Sequence, residues 1–186
     1  DQDSIQVIDG ALPARITWAT MQGGELGYLH VANMALLTAE DYGYGEASNL
    51  EVIRSLMPKI ITDLQDTQAM IIDIRDNSGG FDSVAFTIAS YFTDQTRKVV
   101  SKVARSYAGE TAPVDFYLEP AASSTYLKPV IIVAGAETTS AAEVFLITMR
   151  ALPQVTVIGE VSRGNFSDIL VRRLPNTWSL WLSNEV

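Results

Sequence analysis

The stretch Ala69-Met70-Ile71-Ile72-Asp73-Ile74-Arg75-Asp76-Asn77-Ser78-Gly79-Gly80 decides the fold. Its first half is a continuous apolar run of the kind found in buried strands. Its second half is a dense turn signal, and Phe81 to Thr93 beyond it reads as a helix. Upstream, Ser48 to Asp66 sets Leu50, Ile53, Leu56, Ile60 and Leu64 at three- and four-residue spacing, which predicts an amphipathic helix. The same grammar recurs downstream. Lys128 to Ala134 reads as a second buried strand, Gly135 to Thr139 as a loop, Ser140 to about Ala151 as a helix, and Gln154 to Gly159 as a third apolar strand. Strands entering helices through short Gly-bearing loops imply an α/β fold, a layered sheet-and-helix core built from βαβ units.

A small antiparallel part flanks this core. Ala14 to Thr20 and Glu25 to Val31 read as a hairpin around Gly23-Gly24, and Ser167 to Arg173 with Thr177 to Ser183 as another around Leu174-Pro175-Asn176. Arg97 to Tyr107 alternates and reads as one strand, whereas Ala108 to Ser124, with Pro113 and Pro120, predicts no element. Trp18, Trp178 and Trp181 are expected to pack the hairpins.

The bulk properties narrow the function. With 47% hydrophobic and 19% charged residues the chain suits one globular domain over residues 1–186 rather than disorder. No apolar run reaches the ~18 residues of a membrane span. A net charge of -9 argues against a nucleic-acid partner, since phosphate binding needs clustered Lys and Arg. The absence of cysteine removes thiol catalysis and thiolate metal sites, and a single histidine, His30, removes a multi-histidine zinc site; no metal or cofactor is implied. The chain begins at Asp1 without an initiator Met and stops at Val186 after a strand-like run, so it reads as a piece of a longer polypeptide.

Chemistry in open α/β sheets gathers at the carboxyl ends of the strands, and two such ends stand out. Gly79-Gly80 lies at a strand-to-helix turn. It is either a tight left-handed turn with nothing bound or a place where free N–H groups stabilise an oxyanion. Ser140 stands at the start of the next helix with Glu143 three residues on. It is either the N-cap of a capping box or a nucleophile exposed at a sharp turn, with its own backbone N–H and that of Ala141 aimed at the attacked carbonyl. A serine and a glycine pair at neighbouring strand ends together form the layout that acyl transfer needs.

These blocks carry a resemblance. Gly27-Tyr-Leu-His-Val31, Ile71-Ile-Asp-Ile-Arg-Asp-Asn-Ser-Gly-Gly80, Pro129-Val-Ile-Ile-Val-Ala-Gly-Ala-Glu-Thr-Thr-Ser-Ala-Ala-Glu143 and Val157-Ile-Gly-Glu160 resemble, in order and spacing over roughly residues 25 to 186, the C-terminal processing (tail-specific) serine peptidases. That family includes the tricorn core and the interphotoreceptor retinoid-binding protein. The resemblance implies a core of the Clp protease and crotonase type, Ser140 as nucleophile, and oxyanion donors from Gly79, Gly80 and Ala141. It also implies a polypeptide substrate and a periplasmic or cell-envelope location. Family members carry a PDZ module and a helical segment before the core, neither of which is visible in this sequence.

The base departs from the pattern. Tail-specific members supply a lysine after the Val-x-Gly-Glu strand, but here the column holds Asn165, and an amide takes no proton at neutral pH. Arg163 stays protonated, and Lys59, Lys98, Lys102 and Lys128 fall in other blocks. The Ser-Arg-Gly-Asn-Phe form resembles the tricorn and retinoid-binding branch, in which a histidine before the PDZ module and an acidic group beyond residue 186 complete the site. His30 sits in a block that is structural in the family. Glu143, Glu160 and Asn165 are read as orienting the serine loop, and Asp73 with Arg75 as a polar pair holding the turn. Three readings follow: a serine endopeptidase core whose base lies elsewhere; a non-catalytic module for apolar ligands or peptides; and, last, an acyl-CoA enzyme, for which no nucleotide-binding feature is seen.

Overall fold

A computed structural model describes residues 6–7, 15–35, 45–183 and 185. Ala14, the first residue of the expected hairpin, lies outside them. In chain order the elements are β1 (Gln6–Val7), β2 (Ile16–Met21), β3 (Leu26–Val31), α1 (Glu46–Leu64), β4 (Ala69–Asp73), α2 (Asp82–Ala89), β5 (Arg97–Lys102), β6 (Arg105–Ser106), β7 (Gly109–Glu110), β8 (Val114–Leu118), β9 (Val130–Ala134), α3 (Ala141–Arg150), β10 (Val155–Gly159), β11 (Ile169–Arg173) and β12 (Ser179–Ser183). Single 3₁₀ turns follow β2 and α2.

Six strands form the central sheet in the order β1-β2-β3-β4-β9-β10. β3, β4, β9 and β10 run parallel, with β2 antiparallel beside β3 and β1 antiparallel beside β2. The helices connect the parallel strands, as such strands require a crossover. Residues pointing to one sheet face, Leu29, Val31, Met70, Ile72, Val130 and Ile132, join one core with Ile53, Met57, Ile60, Ile61 and Leu64 of α1, Val84 and Ile88 of α2, and Phe145 and Met149 of α3. Each such aliphatic side chain withdrawn from water contributes about 1.5–3 kcal/mol.

The other face is different. Tyr28, His30, Ile71 and Val133 are only half-buried, and Ile131 and Ile158 are exposed. The three apolar runs therefore do not make strands buried on both sides. β9 buries alternate residues, β4 does so up to Ile72 with the paired Asp73 buried beyond it, and β10 is an edge strand with its outward residues in water. An apolar run reports the pleat's taste for β-branched side chains as well as burial.

Three further expectations are corrected. The single strand over 97–107 is two, because Ala104 leaves β5 to pair with Thr111: its N–H reaches Thr111 Oγ1 at 3.0 Å and its carbonyl accepts the Thr111 N–H at 2.9 Å. The segment without a predicted element holds β7 and β8, and β8 pairs antiparallel with β5. Trp18 is buried, its indole N–H donating to Asp63 at 2.9 Å, but Trp178 and Trp181 are exposed on the β11–β12 hairpin rather than packing it.

Candidate active site

The site begins where two parallel neighbours end. β4 runs into the glycine-pair turn and β9 into the serine turn, so the β4–β9 pairing brings both turns to one edge of the sheet. Asn77, fully buried, ties them in place. Its Nδ2 donates to the Val31 carbonyl at 2.7 Å, its Oδ1 accepts the Gly79 N–H at 2.9 Å, and its own carbonyl accepts the Thr139 N–H at 3.2 Å. Thr138, also fully buried, does the same for the serine loop: its hydroxyl donates to the Ile74 carbonyl at 2.8 Å and accepts the Gly135 N–H at 3.0 Å.

The turns meet without room for a side chain. Gly79 has φ +86°, and a Cβ there would stand 2.6 Å from Ser140 Cβ and 2.7 Å from the Thr139 carbonyl. Gly80 has φ +143°, and its Cβ would overlap the Met34 backbone. Only glycine satisfies both the dihedral and the approach.

Ser140 has φ 57° and ψ −129°. A non-glycine residue held in such a sparsely populated region carries on the order of 1–3 kcal/mol of strain, which its surroundings must over-determine. They do so through its N–H, which reaches the Asn165 carbonyl at 3.1 Å and Glu143 Oε2 at 3.1 Å. The capping box of Ser140 and Glu143 is present. The Glu143 N–H bonds the Ser140 backbone carbonyl at 2.8 Å. Glu143, 1% exposed, also accepts the N–H groups of Gly164 at 2.6 Å and Asn165 at 2.8 Å, so it lashes the serine turn to the 164–165 loop.

Ser140 and Gly80 both line a cleft of about 430 Å³ walled by Phe81, Phe116 and Phe166. Among the described residues the N–H groups of Gly80 and Ala141 have no protein acceptor. The Gly79 N–H does have one, Asn77 Oδ1. Of the expected oxyanion donors, the N–H groups of Gly79 and Ser140 are therefore already engaged, and those of Gly80 and Ala141 have no acceptor among the described residues.

The remaining residues fall out as follows. Among the described residues Asn165, facing solvent, engages only through its backbone, as does Glu160, whose N–H bonds the Ala134 carbonyl at 3.0 Å while the residue is exposed. His30 pairs with Asp76, Nε2 to Oδ1 2.8 Å, and is not among the cleft residues. Asp73, 4% exposed, receives the Arg75 guanidinium at 2.6 Å and the Tyr28 hydroxyl at 2.9 Å. Burial pushes Asp73 up, but these donors and the Arg75 N–H outweigh it and hold the carboxyl down at about 2. Burial and the Asp73 partner push Tyr28 up to about 12.

Sequence reasoning missed the ion cluster in the cleft. Lys102 Nζ lies 2.9 Å from Asp168, 3.2 Å from Asp82 and 3.4 Å from Glu185. Burial alone would lower Lys102, yet Asp168 and Asp82 raise it above its ordinary value. A lysine so held keeps its proton and cannot serve Ser140 as a base. Asn77 and Thr138 were legible only as turn residues. Their buried bonds run between segments 46 and 64 residues apart, which no local pattern reports.

Sheet order, crossover helices and a strained serine beside a glycine pair define an α/β domain of the kind built around the carboxyl ends of parallel strands. Residues 25–185 match Peptidase family S41, and the chain belongs to that family. Among solved structures it is similar to a peptidase candidate from Parabacteroides merdae, with 25% identity, a TM-score of 0.76, and coverage of 96% of this chain and 53% of that one. Mature CPAF complexed with lactacystin shares 14% identity at a TM-score of 0.73, covering 97% of this chain and 45% of that one. The photosystem II D1 C-terminal processing protease shares 17% at 0.62, covering 87% and 37%. At those identities the last two show the fold alone. The chain spans about half the length, or less, of these structures.

Proposed function

We propose that this domain is the core of a serine peptidase in which Ser140 is the nucleophile. The observation that carries the proposal is the strained Ser140 turn facing a cleft beside two backbone donors without acceptors. Ser140 Oγ attacks the carbonyl of an extended polypeptide as a base takes its proton. The oxyanion of the tetrahedral intermediate settles between the Gly80 and Ala141 N–H groups. Collapse expels the amine, which takes a proton, and water then releases the acyl group by the same route.

The base comes from outside the described residues of this chain. Lys102 is locked to carboxylates, Arg163 cannot deprotonate, and His30, paired with Asp76, does not line the cleft that holds Ser140. The Ser162-Arg-Gly-Asn165 resemblance to the tricorn branch supports a histidine supplied from another region, and with it an exported, cell-envelope enzyme. No helix among the described residues is long and apolar enough to cross a membrane.

Fluorophosphonate labelling of the full-length protein tests this. Labelling that is lost in Ser140→Ala and weak in the isolated 186-residue domain is the expected result. Unchanged labelling or proteolysis in Ser140→Ala overturns the assignment. An intact, folded protein that never labels favours the non-catalytic binding module, with Ser140 reduced to a helix cap.

A further inference from the structure

The cleft beside Ser140 has a composition of its own. Its walls are the rings of Phe81, Phe116 and Phe166, with Phe116 stacked on Phe86 at 6.0 Å. Three carboxylates line it, those of Glu46, Asp82 and Asp168, against one cation, Lys102. That cation is committed: its side chain is 13% exposed and contacts Asp82, Asp168 and Glu185 at once. One ammonium cannot neutralise four carboxylates, so the cleft retains negative charge next to the nucleophile. The Asp168 side chain is 67% exposed and presents that charge to whatever enters. Asp82 lies deeper, and burial raises it despite the neighbouring Lys102. On the same wall Ser83 Oγ is shielded from water and has no hydrogen-bond partner among the described residues.

We infer that this cleft selects the substrate residue next to the bond cut, and that it selects a lysine or arginine side chain. Such a side chain has an apolar stem that suits the aromatic walls and a cationic head that suits the carboxylates, with cation–π attraction to the Phe81 and Phe166 rings in addition, Phe116 being already covered by Lys102 Nζ at 5.5 Å. A glutamate or a free terminal carboxylate meets uncompensated negative charge there. The same charge therefore argues for cutting within a chain rather than removing its last residue. The inference rests on Ser140 being the nucleophile of the proposed peptidase.

The test uses the full-length protein and peptides identical except for Lys, Arg, Leu or Glu at one position beside the cleaved bond. Cleavage is read as kcat/KM by mass spectrometry, and binding by fluorescence anisotropy on Ser140→Ala. The expected order is Lys and Arg first, Leu next, Glu last. Asp168→Asn lowers the Lys-to-Leu ratio by about fivefold, the range of a largely exposed ion pair, and Asp168→Lys moves the preference toward Glu. Ser140-dependent cleavage that favours Leu or Glu overturns the inference and leaves the peptidase standing. If nothing is labelled or cut, the peptidase reading fails, and anisotropy decides the cleft alone. Tighter binding of the Lys peptide, weakened by Asp168→Asn, upholds its cationic preference. Equal binding of the Lys and Glu peptides overturns it.

Discussion

Glu143 shows how much a single buried side chain can organise. Two carboxylate oxygens accept three backbone N–H groups, from Ser140, Gly164 and Asn165. Glu143→Gln keeps the volume but turns one oxygen into a donor that faces another donor. Orphaning such buried groups costs about 1–3 kcal/mol each, so the variant is expected to lose roughly 2–3 kcal/mol in urea unfolding and to release Ser140 from its strained turn. Fluorophosphonate labelling falls along with stability; a labelling rate equal to wild type at a temperature where the variant is folded contradicts this positioning role. The sequence shows Glu143 as a capping-box acid and an orienter of the serine loop, but not its clients in the 164–165 loop, which lie 21 and 22 residues away. Asp73 makes a second prediction at this scale. Its carboxyl sits at about 2 in the folded protein, against about 3.9 in an unfolded chain. The folded state therefore binds fewer protons between those values. The resulting stabilisation, roughly 2–3 kcal/mol, is complete above about pH 5 and is lost as pH falls through ~4 toward ~2. Asp73→Asn is less stable at neutral pH and has a flatter stability profile over that acid window, measured by urea midpoints; a parallel profile removes Asp73 from the acid response.

At the scale of elements, legibility followed the chemistry of each segment. β4 and β9 were readable because a parallel strand's apolar run ends in a turn and enters a helix, a pattern local to about a dozen residues. α1 was readable from its spacing, although the fully buried stripe is Ile53, Met57, Ile60, Ile61 and Leu64, and Leu50 and Leu56 sit at its edge. β8 was not readable. In a two-stranded ribbon its residues Val114 and Tyr117 stay exposed and only Leu118 is buried, so no alternation survives, and its register on β5 is broken between Lys98 and Val100. α1 also holds a proline the pattern did not flag. Pro58 lies inside the helix and lacks the N–H that would bond the Arg54 carbonyl one turn back. An interior proline costs about 3 kcal/mol, and the stiffer unfolded chain returns up to about 1 of it. Pro58→Ala is therefore expected to raise stability by about 1–2 kcal/mol in thermal or urea unfolding. A loss instead would mean that the ring's packing contributes more than the missing hydrogen bond.

Across the whole molecule, charge and apolar surface act against each other. The net charge of -9 keeps copies apart near neutral pH, and the pI of about 4.5 marks where that repulsion vanishes. What remains is apolar. On the β11–β12 hairpin Trp178 and Trp181 are 69% and 65% exposed beside Ile169, Val171, Leu180 and Leu182, and Ile131 and Ile158 face water from the open side of the sheet. Patches of this kind associate once charge no longer prevents it. The 186-residue domain is therefore expected to reach a solubility minimum near pH 4.5 at low salt, with light scattering rising as the pH approaches that value. Acrylamide quenching identifies the surface responsible, because Trp18 is buried and the two hairpin tryptophans are open. At neutral pH two of the three tryptophans quench readily; near the minimum the quenchable fraction drops if the hairpin is what associates. The double variant Trp178→Ser, Trp181→Ser should then stay soluble closer to the pI. If it precipitates as the wild type does while Trp18 alone reports no change, the open sheet face, with Ile131 and Ile158, is the sticky surface instead.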